Sequence, residues 1–482
     1  MKERYVRRRS LFLEMPLPNK LLPLHGMAYR MDIAPQAVDA ILQRRILRDG
    51  LDLVMDLERS HGVWVYDSKH NREILDFFGC YATIPLGYNH PKMTQDETFL
   101  RHLLQAAIVN PTNADIYTQE YAHFVQTFER VAIPPYLKYA FFIAGGALAV
   151  ENALKVAMDW KVQKNFAKGY RREVGTKVIH FREAFHGRSG YTMSLTNTDP
   201  LKVQYFAKFH DWPRILNPKL RFPLTEENLA RTIADEELAI RQIKQAFVEY
   251  KDDICAIIIE PIQSEGGDNH FRPEFMRALR QLADENDVML IYDEVQTGVG
   301  ATGRFWAHEH FGPEALPDII SFGKKMQVCG ILVGPKVDEV PTNVFRVPSR
   351  INSTWGGTLV DMVRADKILE IIEEDNIVAH AAHAGEHLKM RLEELSQQYP
   401  ELISAVRGQG LMVAFDLPTK EIRDQLVKDA LDKENLLLLK AGERSIRSRS
   451  ALTITTEEID EGIERLSRLL AAYKVGKSFA LS

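Results

Sequence analysis

The chain has 482 residues, which is more than one small hydrophobic core organises, so a large domain with a smaller satellite domain is expected. Its composition is that of a globular protein, with 45% hydrophobic residues, 26% charged residues and a net charge of −5. This charge balance argues against a nucleic-acid-binding protein, and the 15 histidines have no metal-ligand spacing, so no metal is predicted.

The location of the protein is predicted from its cysteines and its first residues. Cys80, Cys255 and Cys329 lie far apart and form no disulfide framework, which favours a reducing compartment. The basic N-terminus has only a short apolar run, and no segment approaches the length of a membrane span. A cytoplasmic protein without membrane contact is therefore predicted.

Short apolar runs alternate with helical patterns through the middle of the chain. Ala147–Lys161 and Pro273–Glu285 have the apolar spacing of helices. The runs are apolar on both faces, which is typical of buried parallel strands covered by helices. The pattern predicts an α/β fold with a large doubly wound, mostly parallel sheet. The four runs are Tyr139–Ile143, Lys177–Phe181, Ile254–Ile259 and Val288–Tyr292.

After about residue 355 the pattern changes. Val360–Glu374, Ala381–Tyr399 and Thr456–Ala472 have the spacing of amphipathic helices, around a short strand near Leu411–Phe415. This predicts a smaller α+β domain. The predicted divisions are an N-terminal segment at 1–85 that belongs to the small domain, a large domain at 86–354 and the C-terminal small domain at 355–482.

Residues suited to chemistry follow the predicted strands. Ligands of such sheets bind beyond the carboxyl ends of the strands. Gly145-Gly146-Ala147 opens a helix whose N–H groups and positive dipole end suit a phosphate, although such turns are common without one. Glu260 and Asp293 end the third and fourth strands.

Lys324 and Asp293 together suit one cofactor better than either residue does alone. Lys324 follows a short apolar strand, and desolvation there would expose a nucleophilic amine, although a lysine pair is more often on the surface. Since adjacent residues of an extended segment point in opposite directions, at most one of Lys324 and Lys325 is expected to serve. Pyridoxal phosphate (PLP) needs a carboxylate such as Asp293 at its ring nitrogen, the alternative being an acidic cap on the next turn.

Several segments together resemble the class III, fold-type I, PLP-dependent aminotransferases. The resemblance extends from about residue 62 to residue 472 and implies that fold and a PLP-dependent transaminase. The segments are Leu75-Asp-Phe-Phe-Gly79, Pro85-Leu-Gly-Tyr-Asn-His-Pro91, Glu151-Asn-Ala-Leu-Lys155, Ala184-Phe-His-Gly-Arg188, Glu260-Pro-Ile-Gln263, Asp293-Glu-Val-Gln-Thr-Gly298 and Phe322-Gly-Lys-Lys325.

The resemblance implies a role for each matching residue. It implies that Lys324 forms the Schiff base, that Phe185 stacks on the ring, and that Thr354 reaches the phosphate from the partner subunit of a homodimer with shared sites. The implied catalytic residues are Lys324, Asp293 and Glu265; the implied cofactor-binding residues are Gly146, Ala147, Phe185, Glu260, Asp293, Gln296, Lys324 and Thr354; and the implied substrate-binding residues are Arg188, Gln296, Arg449, Glu265 and Asn352.

The resemblance also implies a charge switch. Arg449 would bind the carboxylate beside the keto group of 2-oxoglutarate, and Glu265 would pair with Arg449 while the amine donor is bound. The segment Ile446-Arg-Ser-Arg-Ser-Ala-Leu452 lacks the aromatic residue and the proline that usually flank this arginine. Arg447 therefore stays an alternative.

Within the class, two donors are indicated. Gly145–Leu154 and Phe322–Gly330 are most similar to L-lysine 6-aminotransferases, whereas Gln263–His270 and Phe305–His310 are more similar to 4-aminobutyrate aminotransferases. The expected reaction moves the ε-amino group of L-lysine to 2-oxoglutarate, with 4-aminobutyrate or another ω-amino acid as the alternative donor. A non-catalytic PLP-binding protein, a decarboxylase or an aminomutase would share the scaffold.

Overall fold

A computed structural model describes residues 33–480, with side chains up to residue 474. The predictions for the basic N-terminus therefore lie outside the described residues. The described residues divide into two compact units, one of residues 33–54 and 68–70 and the other of residues 55–67 and 71–480. In the first unit Lys69 Nζ donates to Asp39 Oδ2 at 2.6 Å, beside a short helix at Val38–Leu42. The predicted three-part division at residues 85 and 354 stays a prediction.

Among the described residues, the strands lie in the second unit. They form a seven-stranded, a four-stranded and a three-stranded sheet. In chain order they are β1 (Trp64–Asp67), β2 (Arg72–Asp76), β3 (Tyr139–Ile143), β4 (Lys177–Phe181), β5 (Arg214–Ile215), β6 (Ile254–Ile259), β7 (Met289–Asp293), β8 (Ile319–Phe322), β9 (Cys329–Val333), β10 (Ser404–Gln409), β11 (Met412–Asp416), β12 (Leu436–Leu437), β13 (Leu439–Ala441) and β14 (Ser445–Arg447).

Helices cover the sheets, and side chains cap several of them. Asp96, Thr118, Thr225 and Thr419 accept hydrogen bonds from the first turns of α4, α5, α8 and α12, as good N-caps do. The helices are α1 (Val38–Leu42), α2 (Gly79–Ala82), α3 (Pro91–Thr94), α4 (Glu97–Val109), α5 (Gln119–Ala132), α6 (Gly146–Ala167), α7 (Gly190–Leu195), α8 (Glu226–Glu249), α9 (Pro273–Glu285), α10 (Leu359–Glu374), α11 (Ile377–Gln398), α12 (Lys420–Glu434) and α13 (Thr456–Ala480).

The large sheet has the order β3-β9-β8-β7-β6-β4-β5. The five neighbouring strands β5, β4, β6, β7 and β8, in that spatial order, pair in parallel. All six residues of β6 are buried, because helices cover both faces of the sheet. The predicted α/β class with a mostly parallel sheet is confirmed.

One of the predicted parallel strands has an antiparallel neighbour. β3 is one of the four runs predicted as buried parallel strands, and it pairs in the sheet with the antiparallel strand β9. β9 follows β8 after only a short turn and folds back beside it, so it separates β3 from the parallel strands. Because β9 is antiparallel to both neighbours, β3 still points in the same direction as β8.

The C-terminal part forms the smaller sheets. The four-stranded sheet has the order β10-β11-β14-β13, and the single strand predicted near Leu411–Phe415 is β11. β12 pairs in parallel with β2, so Leu436–Leu437 share a sheet with β1 and β2. Within the described residues no helix is long and apolar enough to cross a bilayer.

Candidate active site

The carboxyl edge of the large sheet gathers three ionisable residues. Glu260 directly follows β6, Asp293 is the last residue of β7, and Lys324 follows β8 after Gly323. Since β6, β7 and β8 are parallel neighbours, their ends lie side by side. This is where ligands of such sheets bind.

Lys324 has a strained backbone and an amine with a lowered pKa. It begins a short 3₁₀ turn, Lys324–Met326, with a φ of +49°, which a residue with a Cβ adopts at a cost. Burial, together with the nearby charges of Arg447 and Arg449, lowers the pKa of Lys324 to about 7. A large fraction of the amine is therefore unprotonated, and hence nucleophilic, near neutral pH.

The expected extended backbone at Lys324 and Lys325 is absent, because both residues lie in the 3₁₀ turn Lys324–Met326. Lys325 is almost completely buried. Burial and the charge of Arg449 lower the pKa of Lys325 to about 7 as well. Neither lysine belongs to a solvated surface pair.

Asp293 is held by three donors or potential donors. Its Oδ2 lies 2.8 Å from His186 Nδ1, and its Oδ1 accepts from Ser321 Oγ at 3.0 Å and from Val295 N at 3.1 Å. Burial lowers the pKa of His186, but the hydrogen bond to Asp293 and its charge outweigh burial, so the pKa of His186 is raised. A carboxylate fixed in this way can hold a proton on a ring nitrogen.

Glu260 positions the aromatic ring of Phe185 through the backbone. Phe185 N donates to Glu260 Oε1 at 2.9 Å, and Ser264 N donates to Oε2 at 3.2 Å. Burial raises the pKa of Glu260 to about 7, and the neighbouring charge of Asp293 acts in the same direction. Glu260 thus joins the segment after β4 to the segment after β6.

Glycines make room at the start of α6. Gly145 has a φ of +105°, and α6 begins at Gly146. A Cβ at Gly146 would lie 3.0 Å from Val295 Cγ1, and a Cβ at Gly187 would lie 2.6 Å from Ala147 Cβ. The first-turn N–H groups of α6 thus lie close to the loop after Asp293, where they can bind an anion.

These features fit pyridoxal phosphate. Its aldehyde needs an amine, its ring nitrogen a carboxylate, its ring face an aromatic side chain and its phosphate a helix N-terminus. Lys324, Asp293, Phe185 and the α6 N-terminus at Gly146 offer these four groups.

The expected pairing of Glu265 with Arg449 is wrong. Glu265 Oε2 accepts from Arg447 Nη2 at 2.6 Å. Arg449 instead forms a two-point ion pair with Asp268, with Nη1 3.0 Å from Oδ2 and Nη2 bonded to Oδ1. Asp268 is fully buried, so its charge requires a paired cation, and the Arg449 guanidinium contacts both of its carboxylate oxygens.

Arg447 retains an unused donor. Its Nε is buried and has no hydrogen-bond partner among the described residues. Its Nη1 lies 3.3 Å from Gln296 Oε1, so Gln296 borders the same group. A substrate carboxylate is the acceptor that such a fork is shaped to meet.

α2 is a single turn with left-handed backbone angles, and it packs against the segment that carries Arg449. Gly79, Cys80, Tyr81 and Ala82 all have positive φ, and a Cβ at Gly79 would lie 2.0 Å from the carbonyl oxygen of Arg449. Cys80 and Tyr81 therefore lie beside the backbone of Arg449.

Asp76 and Tyr88 hold this turn. Asp76 Oδ1 accepts from the backbone N–H groups of Phe78 and Gly79, both at 2.8 Å, and its Oδ2 accepts from Tyr88 Oη at 2.7 Å. Burial raises the pKa of Asp76, although these donors oppose the rise.

Three predicted residues lie on the surface of the single chain. Arg188 is exposed, with its Cζ 6.0 Å from the centre of the Phe185 ring. Asn352 and Thr354 are also exposed, and Asn352 Oδ1 accepts from the N–H of Ser353. Their predicted roles stay predictions.

The sequence interpretation missed three partners. His186 was seen only as part of a motif, Asp268 as part of a loop, and Lys202, whose Nζ lies 2.5 Å from Glu265 Oε1, was not considered. A histidine directly after the ring-stacking position is a local signal for the first. Asp268 and Lys202 reach the site through long-range folding and have no local signal.

Comparisons with known proteins agree with this geometry. A family profile described as aminotransferase class-III matches residues 47–470. The L-lysine-epsilon aminotransferase of Mycobacterium tuberculosis is 49% identical over 429 residues, covering 89% of this chain and 94% of the relative. Human mitochondrial 4-aminobutyrate aminotransferase is 30% identical, covering 91% of this chain and 90% of its own length.

Solved structures agree as well. The structure of lysine aminotransferase from M. tuberculosis in the internal aldimine form superposes with a TM-score of 0.88 at 48% identity, covering 91% of this chain and all of that chain. A profile match over most of the chain, a relative near half identity and the site at the sheet edge lead to one assignment. The chain belongs to the class III aminotransferases, which are PLP-dependent enzymes.

Proposed function

We propose that this enzyme transfers the ε-amino group of L-lysine to 2-oxoglutarate, giving 2-aminoadipate 6-semialdehyde and L-glutamate. The observation that carries the proposal is the Glu265–Arg447 ion pair beside Lys324, because it lets one pocket accept a substrate with or without a carboxylate at that position. The donor follows the relatives named for L-lysine, which are 45–49% identical, whereas the human relative named for 4-aminobutyrate is 30% identical.

Bound PLP supplies an electron sink for the negative charge that develops on the substrate carbon next to the transferred nitrogen. Lys324 moves the proton at that carbon, since its amine has a pKa of about 7 and can both accept and release a proton near neutral pH. Asp293 keeps its carboxylate at the ring nitrogen, and His186 and Ser321 fix the direction of that carboxylate.

Arg447 and Glu265 adapt the pocket to the two substrates. The ε-amino end of L-lysine brings no carboxylate, so Glu265 neutralises Arg447 during the first half-reaction. 2-Oxoglutarate brings a carboxylate next to its keto group, and Glu265 must then leave Arg447. Arg449 takes no part in this exchange, because Asp268 already satisfies it.

A donor panel tests the proposal. Purified enzyme loaded with PLP is given 2-oxoglutarate with L-lysine, 4-aminobutyrate or L-ornithine, and the L-glutamate formed is measured. L-Lysine should give the highest kcat/KM, and Lys324→Ala should abolish turnover with every donor. A higher kcat/KM with 4-aminobutyrate would assign that donor instead, and carbon dioxide release without L-glutamate would refute transamination.

We also propose that the enzyme is a homodimer that completes its sites across the interface. A cluster of large apolar side chains, each at least 40% exposed, lies on α4, on the loop after it and beside Thr354. Neighbouring exposed apolar side chains of this kind often mark protein–protein contact sites. It consists of Leu104, Ile108, Val109, Ile116, Tyr117 and Trp355.

The apolar patch adjoins the segment that carries Asn352 and Thr354. Asn113 Nδ2 donates to Gly357 O at 3.4 Å, and a Cβ at Gly356 would lie 3.2 Å from Ala114 N. A partner that covers the patch would therefore bury this segment, whose Thr354 is exposed on its own chain.

Sedimentation of two variants tests the dimer. Ile108→Glu should shift the enzyme to monomers and lower its PLP occupancy, since a charge at the centre of an apolar interface is costly. Val248→Glu changes an equally exposed apolar residue on α8 and should leave the dimer intact. An Ile108→Glu protein that sediments like the parent would refute the interface.

The cysteines support a reducing location. Cys80, Cys255 and Cys329 are all free thiols in the structure. We propose that the enzyme acts in the cytoplasm, where such thiols stay reduced. Fractionation of tagged protein into the cytosol would support this, and recovery with the membrane or secreted fraction would contradict it.

A further inference from the structure

Glu265 is bonded to two cations at once. Its Oε2 meets Arg447 Nη2 at 2.6 Å, and its Oε1 meets Lys202 Nζ at 2.5 Å. Lys202 is the last residue of a short 3₁₀ helix, Pro200–Lys202, far in sequence from both partners. Its side chain is 19% exposed and that of Glu265 is 24% exposed, so solvent screens this contact only partly.

The position of Lys202 relates it to the cofactor side of the pocket. Its Nζ lies 5.4 Å from the centre of the Phe185 ring, whereas Arg447 borders Gln296. The two cations therefore hold Glu265 from different sides. Burial raises the pKa of Glu265, but the charges of Arg447 and Lys202 and their hydrogen bonds outweigh it, so this pKa is lowered and the group is a carboxylate.

Separating the Glu265 carboxylate from its arginine partner is energetically costly. When a substrate carboxylate takes Arg447, Glu265 would become a partly buried anion without a counterion, which is unfavourable. Lys202 provides the counterion, because its bond to Oε1 survives the loss of the bond to Oε2. Because Lys202 and Arg447 share the single negative charge of Glu265, the Arg447 contact is weaker than it would be alone and is easier to break.

We propose that Lys202 is a positioning residue of the charge switch: it holds Glu265 away from Arg447 while 2-oxoglutarate is bound. The inference rests on the proposed exchange at Arg447 and assigns its second resting position. Lys202 acts through Glu265 and meets neither the reacting carbon nor its proton.

The alternative is that Lys202 binds a substrate carboxylate directly. Its Nζ and the Cζ of Arg188 both lie within about 6 Å of the Phe185 ring centre, so both could meet the distal carboxylate of either substrate. This alternative predicts an effect on L-lysine as well as on 2-oxoglutarate. The two half-reactions therefore separate the interpretations.

The experiment follows each half-reaction by stopped-flow absorbance of the cofactor, starting from the PLP-loaded enzyme for L-lysine and from the pyridoxamine-phosphate-loaded enzyme for 2-oxoglutarate. Lys202→Met should weaken saturation by 2-oxoglutarate roughly tenfold, as expected when one charge-assisted hydrogen bond is lost, and leave the L-lysine half-reaction within about twofold. Lys202→Gln should behave like Lys202→Met, and Lys202→Arg should restore most of the saturation because it keeps the charge.

Lys164→Met is the matched control. Lys164 also pairs with a glutamate, at 2.7 Å from Glu339, lies over an aromatic ring, that of Trp160, and is 23% exposed, but it lies on α6 away from the site. Both half-reactions should keep the parent's values in Lys164→Met. Equal losses in Lys202→Met and Lys164→Met would mean that surface charge alone is responsible, and would overturn the inference.

A double variant tests whether Lys202 acts through Glu265. In Glu265→Gln, which removes the switch charge, adding Lys202→Met should change neither half-reaction by more than about twofold. A full tenfold effect in that background, or an effect of Lys202→Met on L-lysine, would assign Lys202 to substrate binding and overturn the inference. If Glu265→Gln alone changes nothing, the exchange at Arg447 itself fails, whatever Lys202→Met does.

Discussion

Replacing the reactive lysine should stabilise the cofactor-free enzyme. Lys324→Met keeps the length of the side chain and removes its amine. In the folded chain the pKa of Lys324 is lowered from 10.5 to about 7, with burial as the main cause and Arg447 and Arg449 as further causes. The amine is thus a destabilising group that the fold tolerates for its chemistry.

The sign and size follow from proton linkage. Between pH 7 and pH 10.5 the unfolded chain holds a proton on this amine that the folded chain lacks, so the free energy of unfolding rises with pH. With about 1.4 kcal/mol per pKa unit, the amine lowers that free energy by about 3 kcal/mol at pH 8. By pH 9.5 the cost has fallen to about 1.4 kcal/mol.

Thermal unfolding of cofactor-free protein at pH 8 and at pH 9.5 measures the effect. Lys324→Met should raise the Tm by a few degrees at pH 8, and the gain should shrink by about half at pH 9.5. Lys138→Met is the control, because the pKa of Lys138 is raised by Asp338 and its loss should not stabilise. A lower Tm in Lys324→Met, or a gain independent of pH, would refute the argument.

Three further substitutions separate structural from chemical roles. Arg449→Leu should lower the free energy of unfolding by about 3–5 kcal/mol, measured by urea titration, because Asp268 would be left as a buried charge, and a stable variant would contradict the two-point pair. Tyr88→Phe should lower the free energy of unfolding by about 1–3 kcal/mol, because Asp76 loses a hydrogen-bond donor. Tyr473→Phe is the control, since it also removes a hydroxyl that donates to a carboxylate at 2.7 Å, that of Asp429 in α12. It should lower the free energy of unfolding less, because that site is more open to solvent. Asp293→Asn should keep PLP bound by absorbance but reduce kcat by about 10² or more, and near-normal turnover would rule out its role at the ring nitrogen.

The strand-end residues could be predicted from sequence because each follows a buried run. Asp293 and Lys324 come directly after such runs, and the parallel sheet then places them together. The backbone turn at Lys324 could not be predicted, since it depends on β9 folding back beside β8.

The choice between the two arginines was beyond sequence reasoning. Arg447 and Arg449 are two residues apart around the end of β14, and residues at that spacing share a face of a strand. Which one binds Glu265 depends on Asp268, a residue of the loop after β6 that captures Arg449. Only the folded position of that loop decides the matter.

The antiparallel direction of β9 likewise depends on contacts between distant parts of the chain. Cys329–Val333 is as apolar as the parallel strands, so composition gives no direction. Gly330 shows why the strand fits there, since a Cβ at that position would lie 2.3 Å from Phe141 O in β3. This close approach between β3 and β9 is set by the sheet and is invisible in the local pattern.

The three-stranded sheet combines two early strands with a late one, so it cannot be completed until most of the chain has been synthesised. β2 pairs with β12, and the Arg72 guanidinium donates to the carbonyl of Leu431, 359 residues later in the chain. At the usual pace of translation a ribosome needs roughly 20–70 s to cover that distance. Throughout that interval one edge of β2 has no neighbour, so a nascent chain stalled before Leu436 should be sensitive to proteases and bound by chaperones around residues 64–76.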